Sequence, residues 1–355
     1  MDGLNILITG GGAPGISGTI YSLKNNYDNR NIKLICVDIK KEVVGKYLCD
    51  KFYQIPKPTD KAFVQKLKEI CKKENVEIIL PQVDNELSIL AKNKKEFEKI
   101  GIKIAISDFK AIKKTNNKYE LVQLCKRLGI PSPESYLVSD FKNLVEKAHL
   151  MGYPDNKVCI KPPISSGMRG FRILHERDKK DAGKRFYEEK PTGTYTDIED
   201  LYSILGENFP ELMIAEHLPG KEYSVDCFRT QEQTIIIPRT RDLIRTGITF
   251  NGTIEKNEKI IEYCNKIAEE LQMKYCFGFQ FKVDSKGVTK IIESNPRIQG
   301  TMVMSTFSGA NIIYSSIKEA LGEKVPDFNI KWGLRFMRCW GGIGIHKDKI
   351  EKLDL

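Results

Sequence analysis

The chain has 355 residues, of which 41% are hydrophobic and 29% charged, with a formal net charge of +10. Its length exceeds one ordinary core and implies two or three domains, and its composition is that of a soluble globular protein. Lys and Arg are scattered among Asp and Glu instead of being massed, and no nucleic-acid-reading motif is present, so the charge favours solubility and polyphosphate ligands over nucleic acid.

The nine cysteines form no C-x-x-C pair and several sit in apolar runs, as expected of reduced thiols in a cytoplasmic protein. The four histidines are dispersed, which disfavours zinc. The opening MDGLNILITG lacks a basic leader region, and no apolar run reaches membrane-spanning length. Neither a signal peptide nor a membrane span is expected.

In chain order, a strand over Leu4–Thr9 is followed by the turn Gly10-Gly11-Gly12-Ala13-Pro14-Gly15 and a helix running to about Lys24. A second strand, Lys33–Val37, ends at Asp38. A helix from about Lys61 to Lys73 leads to a third strand, Glu77–Pro81. This alternation implies a parallel sheet. The glycine-rich turn, with an acid after the next strand, resembles a dinucleotide fingerprint. Pro14 interrupts it, so the match is loose, but an NAD-dependent dehydrogenase binding nicotinamide at Gly10–Gly15 stands as one rival reading.

The second region starts near Thr115. It contains a helix Asn117–Leu128 closed by Gly129, a strand Ser135–Val138, a helix Phe141–Met151 and a strand Val158–Lys161. The loop Ile164-Ser165-Ser166-Gly167-Met168-Arg169-Gly170 and a strand Phe171–Leu174 come next. Strand, Gly/Ser loop, strand is not a Walker A loop. It is a flap whose N–H groups and hydroxyls suit phosphate oxygens, with Lys161 as a point charge beside it. A surface hairpin with an ordinary lysine is the plain alternative. After a polar helical stretch, about Lys179–Leu205, an apolar strand through Glu216-His217-Leu218 breaks at Pro219-Gly220 and a new strand begins near Glu222. The break reads as a linker whose backbone can meet a purine. Glu222 would then accept from ribose hydroxyls, or else be an exposed carboxylate at a strand start.

In the third region, Pro238-Arg239-Thr240-Arg241-Asp242 and then Arg245 follow an apolar run. Three arginines suit a substrate carboxylate, or form a solvated basic loop. From Phe277 to Gly300, two alternating apolar runs flank the turn Asp284-Ser285-Lys286-Gly287, a hairpin signal. Glu293, Asn295 and Arg297 are spaced by two and so project to one face of a strand, and Gln280 on the preceding run can join them. Oxygen ligands beside a cation suit Mg²⁺ held together with substrate phosphates; a solvated sheet edge is the alternative. Pro296 ends the strand. A helix Ile312–Leu321, a final strand Trp332–Trp340 and a charged tail Ile345–Leu355 complete the chain.

The order Lys118, Lys161 before a Ser/Gly flap, Glu216 to Glu222, Gln280, then Glu293-x-Asn295-x-Arg297 resembles the ATP-grasp superfamily. Within it the chain is most similar to the branch of the carbamoyl phosphate synthase large subunit, whose N-terminal domain the opening ILITGGGAPG and Pro81–Leu87 also resemble. The resemblance implies an α/β fold in three parts: a Rossmann-like N-terminal domain (1–114), a central subdomain with the phosphate flap (115–218) and a C-terminal α+β subdomain with the metal site (219–355).

It further implies ATP and one or two Mg²⁺, with Mn²⁺ able to substitute. By position, Lys118 and Lys161 hold ATP phosphates, and Ser165, Ser166, Gly167 and Gly170 cover them. Glu216, His217 and Leu218 present backbone to adenine, and Glu222 meets the ribose. Glu293 and Asn295 ligate the metal, with Gln280 at a second position. Arg297 contacts the phosphate or acyl-phosphate. The implied reaction activates a small carboxylate, an amino acid or sugar acid near Arg239, Arg241 and Arg245, as an acyl-phosphate and joins it to an amine. A homodimer through the first domain is implied by the same likeness.

Gln280 replaces the usual acid, which weakens a second metal. Gln299 and Gly300 stand where the synthases have serine and arginine, so a stand-alone ligase is expected in place of a bicarbonate-using synthase. An ATP-grasp kinase and a non-catalytic ATP-binding module are the further rivals.

Overall fold

The structure, a computed structural model, describes residues 3–165, 167–176, 193–339, 341–346 and 349–352. It divides into two compact units: Met1–Thr115 with Lys221–Gln280 and Ser294–Leu355, and Asn116–Gly220 with Phe281–Glu293.

The first unit opens with a parallel sheet of β1 (Leu4–Thr9), β2 (Ile32–Asp38), β3 (Lys51–Gln54), β4 (Ile78–Leu80) and β5 (Lys103–Ile104), in the order β3-β2-β1-β4-β5. The runs LNILIT, IKLICVD and IIL are buried almost throughout, as central parallel strands covered on both faces require. Ile6, Ile8, Leu34 and Cys36 supply one face, and Leu7, Ile35, Val37 and Ile79 the other. The strands expected at 4–9, 33–37 and 77–81 are present. The two edge strands, β3 and β5, carry no alternation long enough to read: β3 is half-exposed and β5 has two residues.

A buried carboxylate ties this sheet to the helix Asp84–Glu98. Glu86 Oε1 accepts from the Thr9 hydroxyl and from the amides of Gln82 and Val83, both at 3.2 Å. Burial outweighs those hydrogen bonds and pushes its pKa up to about 7. The folded chain therefore holds this proton more tightly than the unfolded one, and stability falls as pH rises from the ordinary glutamate range through about 7. Glu86→Gln is expected to flatten this slope, with a gain of up to ~3 kcal/mol at pH 8, read from urea unfolding at pH 5 and pH 8. An unchanged slope would refute the assignment.

The second unit carries a sheet of β6 (Ser135–Asp140), β7 (Val158–Lys161), β8 (Arg172–Leu174), β9 (Tyr195–Thr196) and β10 (Asn208–Glu216), in the order β6-β10-β7-β8-β9. Its helices start at side-chain caps. Asn117 accepts from Tyr119 and Glu120 amides, Asp140 from Asn143 and Asp197 from Asp200. Val138, Leu144, Val158, Ile160, Leu201 and Ile214 form its core. Of the helical stretch expected over 179–205, Ile198–Leu205 is a helix and residues 177–192 lie outside the described residues.

Farther along the chain, β11 (Glu222–Arg229), β12 (Thr234–Thr240), β15 (Tyr275–Val283) and β16 (Thr289–Asn295) form a sheet in the order β12-β11-β15-β16. Next to it in sequence, β13 (Leu243–Arg245) pairs with β14 (Ile248–Thr253), which pairs in turn with β17 (Arg335–Met337). Two expectations at the C-terminal end need correction. The strand expected over Trp332–Trp340 is only Arg335–Met337. Gly333 has φ of 84°, a left-handed turn conformation that prevents extended pairing from starting earlier, and Trp340 lies outside the described residues. The expected charged tail is a hairpin: β18 (Ile343–His346) pairs antiparallel with β19 (Lys349–Lys352), Ile345 opposite Ile350. Lysines mask a period-two pattern there.

Candidate nucleotide and metal site

The two units carry different shares of the candidate residues. In the second, Lys118 opens the helix Lys118–Arg127, where the Asn117 cap fixes its direction. Its side chain is 9% exposed, and Nζ lies 3.9 Å from Glu293 Oε2. The same ammonium donates to Ser165 O at 2.5 Å, with Ser165 Oγ at 3.4 Å. Lys161, last on β7, donates to Ile292 O at 3.3 Å. Residues up to 175 positions apart in sequence thus meet: two ammonium groups, the start of the Ser/Gly loop and one carboxylate. The loop needs its glycines. Gly167 and Gly170 have φ of 64° and 72°, and a Cβ on Gly170 would lie 2.7 Å from Pro162. Ser166 lies outside the described residues.

At the linker, Glu216 ends β10 and accepts Lys290 Nζ on both carboxylate oxygens at 2.8 Å. Lys290 also lies 3.1 Å from Asp284. The Glu216 side chain is thus held in place by structure, which leaves its main chain as the part suited to a ligand. Leu218 is buried. Burial first, then the charges of Lys282, Lys157 and His175, pulls the His217 pKa down to about 4, so its ring is neutral at neutral pH. Strand register explains part of this. Glu216 is opposite Val158, and Val158 opposite Leu174, so His217, Lys157 and His175 end three neighbouring strands in one row. Lys157, His175, Lys282 and Lys290 were not legible as site neighbours in the sequence, because only cross-strand register aligns them.

In the first unit, Arg297 Nε and Nη2 donate to Asp84 Oδ1 and Oδ2, each at 2.8 Å. Nη2 also donates to Asn295 Oδ1 at 3.0 Å and Nη1 to Ile298 O at 3.0 Å. Gln280 is half-buried on β15. Glu222 is ion-paired with Arg241, whose Nε also donates to Thr249 Oγ1 at 3.0 Å.

The three arginines considered for a substrate carboxylate have different surroundings. Arg239 is 1% exposed and donates to Asp226 Oδ2 at 3.0 Å and Gln299 Oε1 at 2.9 Å. Arg241 is clamped on Glu222, and Arg245 lies 5.0 Å from the Phe250 ring centroid.

The dinucleotide-like turn is packed on itself. Asp38 accepts from the Gly12 amide at 2.8 Å and from the Lys40 amide at 2.8 Å, so both its oxygens serve its own chain. A Cβ on Gly11 would lie 2.6 Å from Cys36 Sγ, and one on Gly15 would lie 2.8 Å from Gly300 Cα. These glycines answer to close packing, which removes the main support for a nicotinamide site.

A family model described as ATP-grasp in the biosynthetic pathway with Ter operon matches residues 208–337, which contain Glu216 to Glu222, Gln280, Glu293, Asn295 and Arg297. This part of the chain is similar to the ATP-grasp family. A second model, PylC-like N-terminal domain, matches residues 6–105.

Among curated relatives, the chain is 22% identical over 276 residues to the carbamoyl phosphate synthase large chain of Clostridium acetobutylicum, covering 75% of this chain and 24% of that one. It is 26% identical over 247 residues to the C-terminal section of that large chain from Methanopyrus kandleri, covering 66% and 42%. The chain thus spans less than half the length of either. Among solved structures, an ADP complex of N5-carboxyaminoimidazole ribonucleotide synthetase superposes with TM-score 0.67 at 17% identity, covering 93% of this chain and 80% of that one. Campylobacter jejuni biotin carboxylase gives TM-score 0.65 at 19% identity, covering 91% and 72%. These likenesses show the ATP-grasp fold. Among the described residues no helix is long and apolar enough to cross a membrane.

The candidate metal ligands are of a chemical type that suits a hard cation. Glu293 and Asn295 lie two apart on β16, and Gln280 is on the neighbouring strand of the same sheet. All three offer oxygen, the ligand type Mg²⁺ prefers. Lys118 lies within 3.9 Å of the Glu293 carboxylate.

Proposed function

We propose that this chain is an ADP-forming ligase that activates a small carboxylate with ATP and joins it to an amine. The convergence of Lys118, Lys161, the Ser165 loop and the Glu293 carboxylate in one unit carries the reading. In this assignment Lys118 and Lys161 hold phosphate oxygens, and the loop 165–170 covers them and excludes water. The main chain of Glu216 to Leu218 meets the adenine and Glu222 the ribose. Glu293 and Asn295, with Gln280 for a second ion, would hold Mg²⁺, which would supply charge neutralisation on the phosphates. Arg297 steadies the transferring group.

Phosphoryl transfer needs positioning and charge compensation more than a protein nucleophile, which fits a site of cations and oxygen ligands. A carboxylate oxygen forms a bond to the γ-phosphorus as the bond to the bridging oxygen breaks, and ADP leaves. The amine nitrogen then attacks the acyl carbon, phosphate departs and the nitrogen loses a proton. Lys161 and the loop protect the acyl-phosphate from water in between. The carboxylate is assigned as an amino acid or sugar acid.

The test is nucleotide release from Mg·ATP with pooled carboxylic acids and pooled amines. The proposal predicts ADP release that requires one member of each pool. ADP formed with a single hydroxyl- or amide-bearing molecule would point to a kinase instead. AMP release would contradict the acyl-phosphate route.

A further inference from the structure

The side-on pair between Arg297 and Asp84 is built from one unit of the chain and uses most of the guanidinium. Arg297 engages four of its five N–H donors: Nε and one Nη2 hydrogen on Asp84, the other Nη2 hydrogen on Asn295 Oδ1, and one Nη1 hydrogen on Ile298 O. The remaining donor sits on Nη1. Both side chains are largely covered, at 16% and 20% exposure.

Among the described residues, the hydrogen bonds Asp84 accepts come from Arg297. Asp84 is the first residue of Asp84–Glu98, and among the described residues Glu86, not Asp84, accepts from the amides of Gln82 and Val83. The segment bearing it is buried and hydrogen-bonded. Gln82 is 6% exposed and bonded to Thr9 and Thr19, at the C-terminal end of β4, the end of a parallel sheet where ligands gather. The helix N-terminus also favours the negative charge of Asp84.

We propose that Asp84 is a positioning residue for Arg297. Resting on the ligase reading, the inference is that the pair fixes the guanidinium plane and balances its charge. Arg297 then acts on the carboxylate or its phosphoryl group as an aimed Nη1–H donor and not as a loose cation. A bidentate pair supplies this geometry where a lysine in place of the arginine would not.

The experiment compares wild type, Asp84→Asn, Asp84→Ala, Arg297→Lys and the double variant Asp84→Ala/Arg297→Lys. Two readouts are used: kcat and ATP KM for Mg·ATP-dependent ADP release, and the Nε–H resonance of Arg297, assigned by its loss in Arg297→Lys. Expected for Asp84→Ala are a kcat about 10- to 100-fold lower, an ATP KM within threefold, and a resonance lost to fast exchange. Asp84→Asn, which keeps one acceptor, should fall between, and the double variant should be no worse than Arg297→Lys alone. Multiplicative losses, or a protected resonance and unchanged kcat in Asp84→Ala, would overturn the proposal. If the wild type releases no ADP with any pool, the ligase reading fails. The resonance in Asp84→Asn and Asp84→Ala then still decides whether Asp84 holds Arg297.

Discussion

Glu293→Gln is expected to lower Mg·ATP-dependent ADP release by about 10²- to 10³-fold, the scale seen when one preorganised charge-stabilising group is removed. The substitution keeps the shape of the side chain on β16 and one oxygen, but removes the anionic charge that a hard cation needs. It also leaves the Lys118 ammonium, 3.9 Å away, without that carboxylate's charge. Glu293 is on a strand, 28% exposed at its side chain, and its replacement by an isosteric amide should leave the fold intact, so a melting temperature close to wild type is the control. Full activity in a folded Glu293→Gln protein would remove this residue from the phosphate end.

The second large effect is on stability. Arg239→Ala should destabilise the chain by ~3–5 kcal/mol, the cost of stranding one partner of a buried ion pair. Asp226 is fully buried. Its Oδ2 accepts from Arg239 Nε at 3.0 Å and from Ser305 Oγ at 2.8 Å. The substitution also takes a donor from Gln299. Urea unfolding would measure the loss. Replacing both partners, as in Arg239→Met with Asp226→Leu, should recover much of it, because an apolar pair of similar volume avoids the desolvation of two charges. Wild-type stability in Arg239→Ala would show the pair to be dispensable, and would return Arg239 to the residues available for a substrate.

Local patterns made much of this legible in the sequence. The buried runs of β1, β2 and β4, the helix end at Gly129, and the hairpin around Asp284 follow from periodicity and turn chemistry, which act over a few residues. The ATP-grasp fold was readable from the order of modest motifs, none decisive by itself. The edge strands β3 and β5 were missed because they are short and owe their existence to a neighbour's free hydrogen-bonding edge.

The hairpin of β18 and β19 was hidden by lysines on an exposed pattern. Asp84 and Arg297 are 213 residues apart, and nothing local in either segment announces the other. The same is true of the row formed by His217, Lys157 and His175, which exists only through the register of three strands. Arginines were read as substrate donors from their density alone, whereas burial and carboxylate partners separate Arg239, Arg241 and Arg245 into different environments.

The central claim is transfer of the ATP γ-phosphoryl group to a carboxylate oxygen. The most direct measurement supplies a carboxylic acid from the active pool labelled with oxygen-18, together with Mg·ATP and the amine, and weighs the phosphate released. The ligase account predicts one oxygen-18 carried from the carboxylate into inorganic phosphate, in step with ADP formation. Phosphate released without the label would contradict it, because no acyl-phosphate would then have formed.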